Sequence, residues 1–140
     1  MPNQPHDRLA ADLGKFILRV NLAVLLLFHG ISKVLHGIDP ITGMIARAGL
    51  PPFIAYLVYI GEVAAPALVL LGVWTRPAAL IIAINMVVAV LLVHTSEFFT
   101  LAQSGGWALE LQAMYFISAL TVALLGSGRF SIGGAAGKWN

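Results

Sequence analysis

The sequence contains no cysteine and very little charge. Its 140 residues include eight Lys or Arg and six Asp or Glu, so charged residues make up 10% of the chain, against about 25% in a typical soluble domain. The absence of cysteine excludes disulfides, thiolate metal sites, iron–sulfur clusters and cysteine-based redox chemistry within this chain. The few cations are scattered and form no basic stripe, which argues against nucleic acid as a partner.

The sequence has apolar residues in abundance, at 59% of the chain. A small soluble domain leaves much of its surface wet and cannot bury so many apolar side chains in one core. A lipid bilayer removes this difficulty, because one membrane-spanning helix uses about 20 apolar residues and four would use about 80. The composition therefore predicts an all-α integral membrane protein, folded as a four-helix bundle with little mass outside the lipid.

Four apolar segments are long enough to cross a bilayer, and we expect spans at about 13–35, 53–73, 77–93 and 107–125. These segments are too long for barrel strands, which need about 9–11 residues. Backbone groups in lipid must be hydrogen-bonded within the segment, so helices follow. A signal peptide is the competing interpretation of the first segment, but no small-x-small cleavage site follows it.

The remaining segments are short. Asp39-Pro40 is a turn signal, and Ile41–Ala48 predicts a short interfacial helix between the first and second spans. Residues 1–12 and 126–140 are predicted to be polar tails, so that residues 1–140 form a single membrane domain.

Lysine and arginine are distributed unequally between the two sides of this arrangement. With Arg19, inside the first span, left out, five lie on the side that holds both tails and the turn between the second and third spans, and two lie on the other side; they are Arg8, Lys15, Arg76, Arg129 and Lys138 against Lys33 and Arg47. By the positive-inside rule, this predicts a multi-pass protein of the cell (inner) membrane with both termini in the cytoplasm.

The first span carries polar side chains along one face. Arg19, His29 and Lys33 lie within one arc at 100° per residue, and His36 continues it. A charged side chain inside a span costs roughly 2.5–3.5 kcal/mol, so this face is expected to point into the bundle or a wet cleft. The alternative is that Lys33 and His36, and Arg19 at the other end, reach the membrane surface with their long side chains.

Glu62 lies near the centre of the second span, where no membrane surface is within reach. Its carboxyl group must therefore be protonated, paired with a cation or facing water. Tyr59 and Pro66 lie at helical spacing from it, and Pro66 leaves the carbonyl of Glu62 without its helical donor. Two interpretations stay open: a structural ion pair with Arg19 or Lys33, or a role in handling protons or binding a ligand.

Acids, bases and hydrogen-bond donors concentrate in the outer half of the predicted bundle. This group suggests a binding or proton-handling site, and a quinone site would use such groups beside an apolar cleft. No metal-ligand spacing is present among the histidines, so no metal site is predicted. The members of the group are His29, Lys33, His36, His94, Glu97, Gln103 and Glu110.

Three motifs occur in order: FHGISK at residues 28–33, AGLPP at 48–52, and LGVWTRPAA at 71–79. Together with a central Glu62, they resemble the DoxX family of small four-helix membrane proteins. The resemblance implies a membrane subunit of an oxidoreductase system, since family members are associated with thiosulfate:quinone oxidoreductase and with complexes that handle oxidative or thiol stress. By matching position, Lys33, Glu62 and Arg76 are the family-like polar residues, with His29 beside Lys33.

Three functional hypotheses follow. The first is a redox-linked subunit that binds quinone or another lipophilic acceptor at Glu62, His29 and Lys33, holds no cofactor of its own and works with a redox partner subunit. It requires an apolar pocket open to lipid. The second is an assembly or scaffold subunit, which requires Glu62 to pair with Arg19 or Lys33 and no cavity. The third is a small transporter or channel, which requires a continuous polar path and, in so small a bundle, a homo-oligomer.

Overall fold

The computed structural model describes residues 5–134, 137, 139 and 140. The expectations for residues 1–4 and for Lys138 lie outside the described residues. Within this part of the chain the fold is all-α, with five helices and no sheet. The all-α prediction is therefore confirmed.

The five helices follow one another with short connections, except that 16 residues, 94–109, precede the last helix. They are α1 (Pro5–His36), α2 (Asp39–Arg47), α3 (Pro52–Leu71), α4 (Thr75–Val93) and α5 (Glu110–Leu125). We call the end of the bundle that holds His36, His94 and Glu110 the outer end, and the end that holds Leu71, Thr75 and Leu125 the inner end. The short helix α2 lies at the outer end, where the sequence predicts an interfacial helix.

Two predicted boundaries differ from the structure by three or more residues. Helix α1 begins at Pro5, so residues 5–12 extend the helix and are not an irregular tail. Helix α5 begins at Glu110, because the preceding segment forms a hydrogen-bonded turn in which Leu101 pairs with Trp107. Glu110 is therefore an exposed residue of the first helical turn and does not lie inside the span.

Helix α3 changes its hydrogen-bonding pattern along its length. It opens with a 3₁₀ turn at Pro52–Tyr56, continues through a π turn at Ile60–Ala64 and ends as a regular α-helix at Ala65–Leu71. Pro66 lies two residues after the end of the π turn and has no N–H to donate to the carbonyl of Glu62. The irregular turn, a feature often found at functional sites, is thus centred on Glu62.

The main core is built from small side chains. Seven of the fourteen residues in the buried cluster are alanines, contributed by α1, α3, α4 and α5. Small residues let helix backbones approach closely, which is how helices associate in lipid, where no hydrophobic effect drives them together. A second cluster at the outer end joins Ile38 and Ile45 to Ala55, and it fixes α2 against α3.

Two arginines hold the inner end together. Arg19 is 1% exposed, and its guanidinium donates hydrogen bonds of 2.6 Å to the carbonyls of Val69 and Leu70 at the end of α3 and to that of Phe130. Arg76 does the same for α5, since it donates from Nη1 to the carbonyl of Ala123 over 3.3 Å. Each arginine thus places a positive charge and hydrogen-bond donors at the C-terminus of a helix.

The described part of the carboxyl-terminal segment is an ordered cap and not a polar tail. The amides of Ile132 and Gly133 donate to the carbonyls of Leu71 and Gly72, and Ser127 is 1% exposed. Arg76 also donates from Nε to the main-chain oxygen of Asn140 over 3.0 Å. The sequence suggested a tail because glycine-rich segments carry no periodicity, although glycine permits the positive φ of Gly126 and Gly128.

Among the described residues, two helices are long and apolar enough to cross a membrane, α3 and α4, with mean hydropathies of 2.0 and 2.3. Only 33% and 28% of these segments are buried inside the protein, so most of their apolar surface faces outward, unlike a core helix of a soluble protein. Helix α5 is apolar but shorter, at 16 residues.

Candidate functional site

A cavity of 860 Å³ occupies the outer half of the bundle. It lies between α1, α3, α4 and α5, and α2 covers its outer end through Ile41, Met44 and Ile45. Pockets of this size accept a drug-sized ligand, and such pockets are typically apolar with a few placed polar groups. The walls here follow that pattern; the polar side chains among them are His29, Lys33, Glu62, Asn85, His94, Gln112 and Tyr115.

An ion pair between Lys33 of α1 and Glu62 of α3 forms the charged part of the wall. Glu62 is 7% exposed, whereas the side chain of Lys33 is 27% exposed. Tyr59 supports the same contact from α3, because its hydroxyl donates to the main-chain carbonyl of Lys33 over 3.3 Å. The sequence left Arg19 and Lys33 as possible partners of Glu62, and in the structure the partner is Lys33.

Glycines at two helix contacts beside this pair leave no room for a side chain. Gly30 of α1 lies directly against the carbonyl of Glu62, so that any side chain at this position would overlap it. Gly61 lies in the same way against the side chain of Asn85 on α4. Gly30 shows the close backbone approach for which glycine is used, and Gly61 makes room for the Asn85 side chain. The carbonyl exposed by Pro66 is therefore covered by α1 and not by lipid.

His29 lies beside Lys33 and reaches the same cavity. Its ring meets that of Tyr115 edge to face, with centroids 6.0 Å apart and planes at 87°. His29 is exposed, while Tyr115 is 9% exposed. Tyr115 was not among the predicted site residues. Its spacing of three residues from Gln112 places both side chains on one face of α5. This spacing is the feature of the sequence that could have indicated Tyr115 as a site residue.

Two amides on the cavity wall have buried atoms without a hydrogen-bond partner. These are Nδ2 of Asn85 and Oε1 of Gln112. Buried polar groups are nearly always hydrogen-bonded, so buried atoms without a partner indicate a role for these amides other than packing. The sequence shows both amides inside predicted spans, but nothing in the sequence placed them beside Glu62.

The remaining predicted site residues lie elsewhere. Arg19 is at the inner end and bonds to main-chain carbonyls, separated from Glu62 by the buried side chains of Leu22 and Leu26. At the outer rim, His94 lines the cavity and its Nδ1 lies 2.9 Å from Oε2 of Glu97. Glu110 is exposed and does not line the cavity.

Comparison with known proteins gives the family. The DoxX family model matches residues 14–95, more than half of the chain. The chain belongs to the DoxX family. The matched region contains α1 from residue 14 onward and α2 to α4, and with them the Lys33–Glu62 pair and His29, whereas Gln112 and Tyr115 lie beyond it. DoxX proteins are membrane proteins, in agreement with the apolar helices α3 and α4.

One curated relative is the protein named "Putative oxidoreductase CatD" of Bacillus subtilis (strain 168), with 29% identity over 82 residues. The match covers 59% of this chain and 60% of that protein, so the chain spans less than two thirds of its relative's length. No solved structure matches the sequence.

Proposed function

We propose that this DoxX protein is the membrane subunit of an oxidoreductase system and that its outer cavity binds quinone or a similar lipophilic electron acceptor. The observation that carries the proposal is the cavity itself, an apolar chamber of 860 Å³ with the Lys33–Glu62 pair and His29 in its wall. The name of the relative CatD, a putative oxidoreductase, agrees with this assignment.

The residues present fit a quinone. Its ring carbonyls accept hydrogen bonds, and Lys33 has N–H groups beyond the one used by Glu62. His29 is exposed to the cavity beside Lys33 and supplies a further donor or acceptor. A bound quinone would supply the capacity to accept electrons. The chain's own contribution is to hold the head group, keep water away with aliphatic walls and exchange protons at His29 and the Lys33–Glu62 pair.

The source of the electrons is proposed to be a redox partner subunit. The chain has no cysteine with which to perform thiol chemistry itself. We further propose that α1, α3, α4 and α5 all cross the cell (inner) membrane, with both termini in the cytoplasm. The inner end then carries Arg8, Lys15, Arg76 and Arg129, as the positive-inside rule requires.

The two alternatives have less support. A scaffold explains why Glu62 pairs with Lys33, but it gives no reason for a large cavity beside the pair. A transporter needs a continuous polar path, whereas the buried side chains of Leu22, Leu26 and Val69 separate Arg19 from Glu62.

Filling the cavity tests the proposal. Ala89→Phe places a ring in the chamber, and Val87→Phe places the same ring on the exposed face of the same helix, outside the cavity lining. We expect a decyl-substituted benzoquinone to raise the melting temperature of the purified wild type and Val87→Phe saturably, because a ligand that binds only the folded state stabilises it. Ala89→Phe should melt normally and lose the effect. Equal responses of the two variants would show that the quinone does not bind in the cavity.

A further inference from the structure

We infer that the cavity selects ligands with an uncharged polar head group and rejects anionic amphiphiles such as fatty-acid carboxylates, because Glu62 already neutralises Lys33. The inference deepens the proposed function, on which it rests, by naming the charge class of the ligand. A laterally open cavity with a free lysine would be a natural carboxylate site, so the pairing of that lysine decides between two kinds of lipid-soluble ligand.

The charges on the cavity wall sum to zero. Lys33 and Glu62 are the oppositely charged residues in the lining, and they bond to each other. The other titratable groups of the lining are Tyr115, His29, whose ring meets that of Tyr115, and His94, which faces Glu97 at the rim. Within the described residues, Arg19 is the nearest further cation along α1, and its guanidinium is committed to three main-chain carbonyls.

In the proposed membrane arrangement, the cavity borders apolar surface of α3 and α4. Three aliphatic residues of its lining have a large accessible surface: Ile60 of α3 at 48%, and Ile84 and Leu91 of α4 at 62% and 64%. Around the Lys33–Glu62 pair, α3 and α4 therefore border an apolar opening. A ligand with a hydrocarbon tail can keep that tail in the bilayer while its head group reaches Lys33 and His29.

An anionic head group meets an unfavourable site. It would place a second carboxylate next to Glu62, whose side chain is 9% exposed and has little access to water that would screen the repulsion. A neutral carbonyl or hydroxyl group avoids this cost, because it accepts a hydrogen bond from Lys33 while the ion pair stays intact.

The test compares three probes of equal chain length on the whole protein in zwitterionic lipid nanodiscs: decanoate, decan-1-ol and the decyl-substituted benzoquinone. Binding is followed by melting temperature, and Ala89→Phe gives the background from partition into lipid. For the wild type, we expect both neutral probes to bind at least about tenfold more tightly than decanoate. This comparison needs no variant at Glu62, so it holds even where such a variant fails to fold.

Glu62→Gln should reverse the selectivity. With Lys33 unpaired, decanoate should bind at least about tenfold more tightly than it does to the wild type. The double variant Lys33→Met with Glu62→Gln should lose that gain, and Glu110→Gln, outside the cavity, should behave as the wild type.

Two results overturn the inference: wild-type protein that binds decanoate as tightly as decan-1-ol, or a folded Glu62→Gln that gains no affinity for decanoate. A different result is that the quinone does not bind while decan-1-ol still binds more tightly than decanoate. That result would reject the quinone function and leave the charge selectivity of the cavity standing.

Discussion

Gly30 of α1 lies directly against the main-chain carbonyl of Glu62 in α3. This contact joins three features that are separate in the sequence: a glycine in an apolar helix, a glutamate at mid-span and a proline four residues later. Pro66 leaves the carbonyl of Glu62 without its helical donor, the helix widens into a π turn, and the absence of a side chain at Gly30 lets α1 cover that carbonyl. Lys33, three residues after Gly30, then reaches the carboxylate of Glu62.

Gly30→Ala should destabilise the protein by about 1–3 kcal/mol, because the added methyl group overlaps backbone that cannot move without separating α1 from α3. Gly14→Ala, in the same helix with open space around it, should instead stabilise by about 0.5–1 kcal/mol through the higher helix propensity of alanine. Unfolding of both variants in detergent, followed by circular dichroism, checks the difference. Equal effects at the two positions would contradict the close approach.

Arg19→Met should cost about 2–4 kcal/mol, because three buried or half-buried carbonyls lose a charged donor. The substitution should also loosen the carboxyl-terminal cap locally. Since the amides of Ile132 and Gly133 are held on the end of α3, their hydrogen exchange should become faster than in the wild type. Arg8→Met, at an exposed position of the same helix, is the control and should change neither quantity. Unaltered exchange in Arg19→Met would mean that the cap does not depend on this arginine.

The two halves of the Lys33–Glu62 pair should differ in their effect on stability. Lys33→Met leaves a carboxylate that is 7% exposed without a partner, which we expect to cost about 3–5 kcal/mol. Glu62→Gln leaves Lys33, whose partly exposed chain can reach toward the outer surface, so the loss should be smaller. Combining the two substitutions should recover much of the stability lost in Lys33→Met. A double-mutant cycle by denaturant unfolding measures these differences, and additive losses would argue against a coupled pair.

The orientation across the membrane can be measured by single-cysteine labelling, since the native chain contributes no thiol. Asp7→Cys lies at the inner end and Ser104→Cys in the connection at the outer end, and both positions are exposed. In intact cells, a membrane-impermeant maleimide should label Ser104→Cys, whereas Asp7→Cys should react only after the membrane is opened. The reverse pattern would invert the proposed topology.

The helices and the central role of Glu62 could be predicted from local information. Apolar runs of about 20 residues with turn signals between them predict α3 and α4, and the turn signal Asp39-Pro40 indicates the start of α2. A charge at mid-span is equally visible, because the cost of leaving it unpaired in lipid holds for any fold. The boundaries at Pro5 and Glu110 were missed, since polar residues continue a helix beyond the lipid, and a hydrogen-bonded turn can replace the first turn of a span.

The sequence by itself determined that this is an all-helical chain with DoxX motifs, poor in charge and with a mid-span carboxyl group that must be protonated, paired or hydrated, because composition and hydropathy act residue by residue. Only the tertiary structure decided which partner that is. Arg19 and Lys33 lie on nearly the same face of α1, but the packing of Gly30 on Glu62 fixes the position of α1 along the axis of α3. Arg19 consequently meets the carbonyls at the end of α3, and Lys33 meets the carboxylate. The cavity, with Asn85, Gln112 and Tyr115 in its wall, arises in the same way, since it belongs to the space between four helices and to none of them alone.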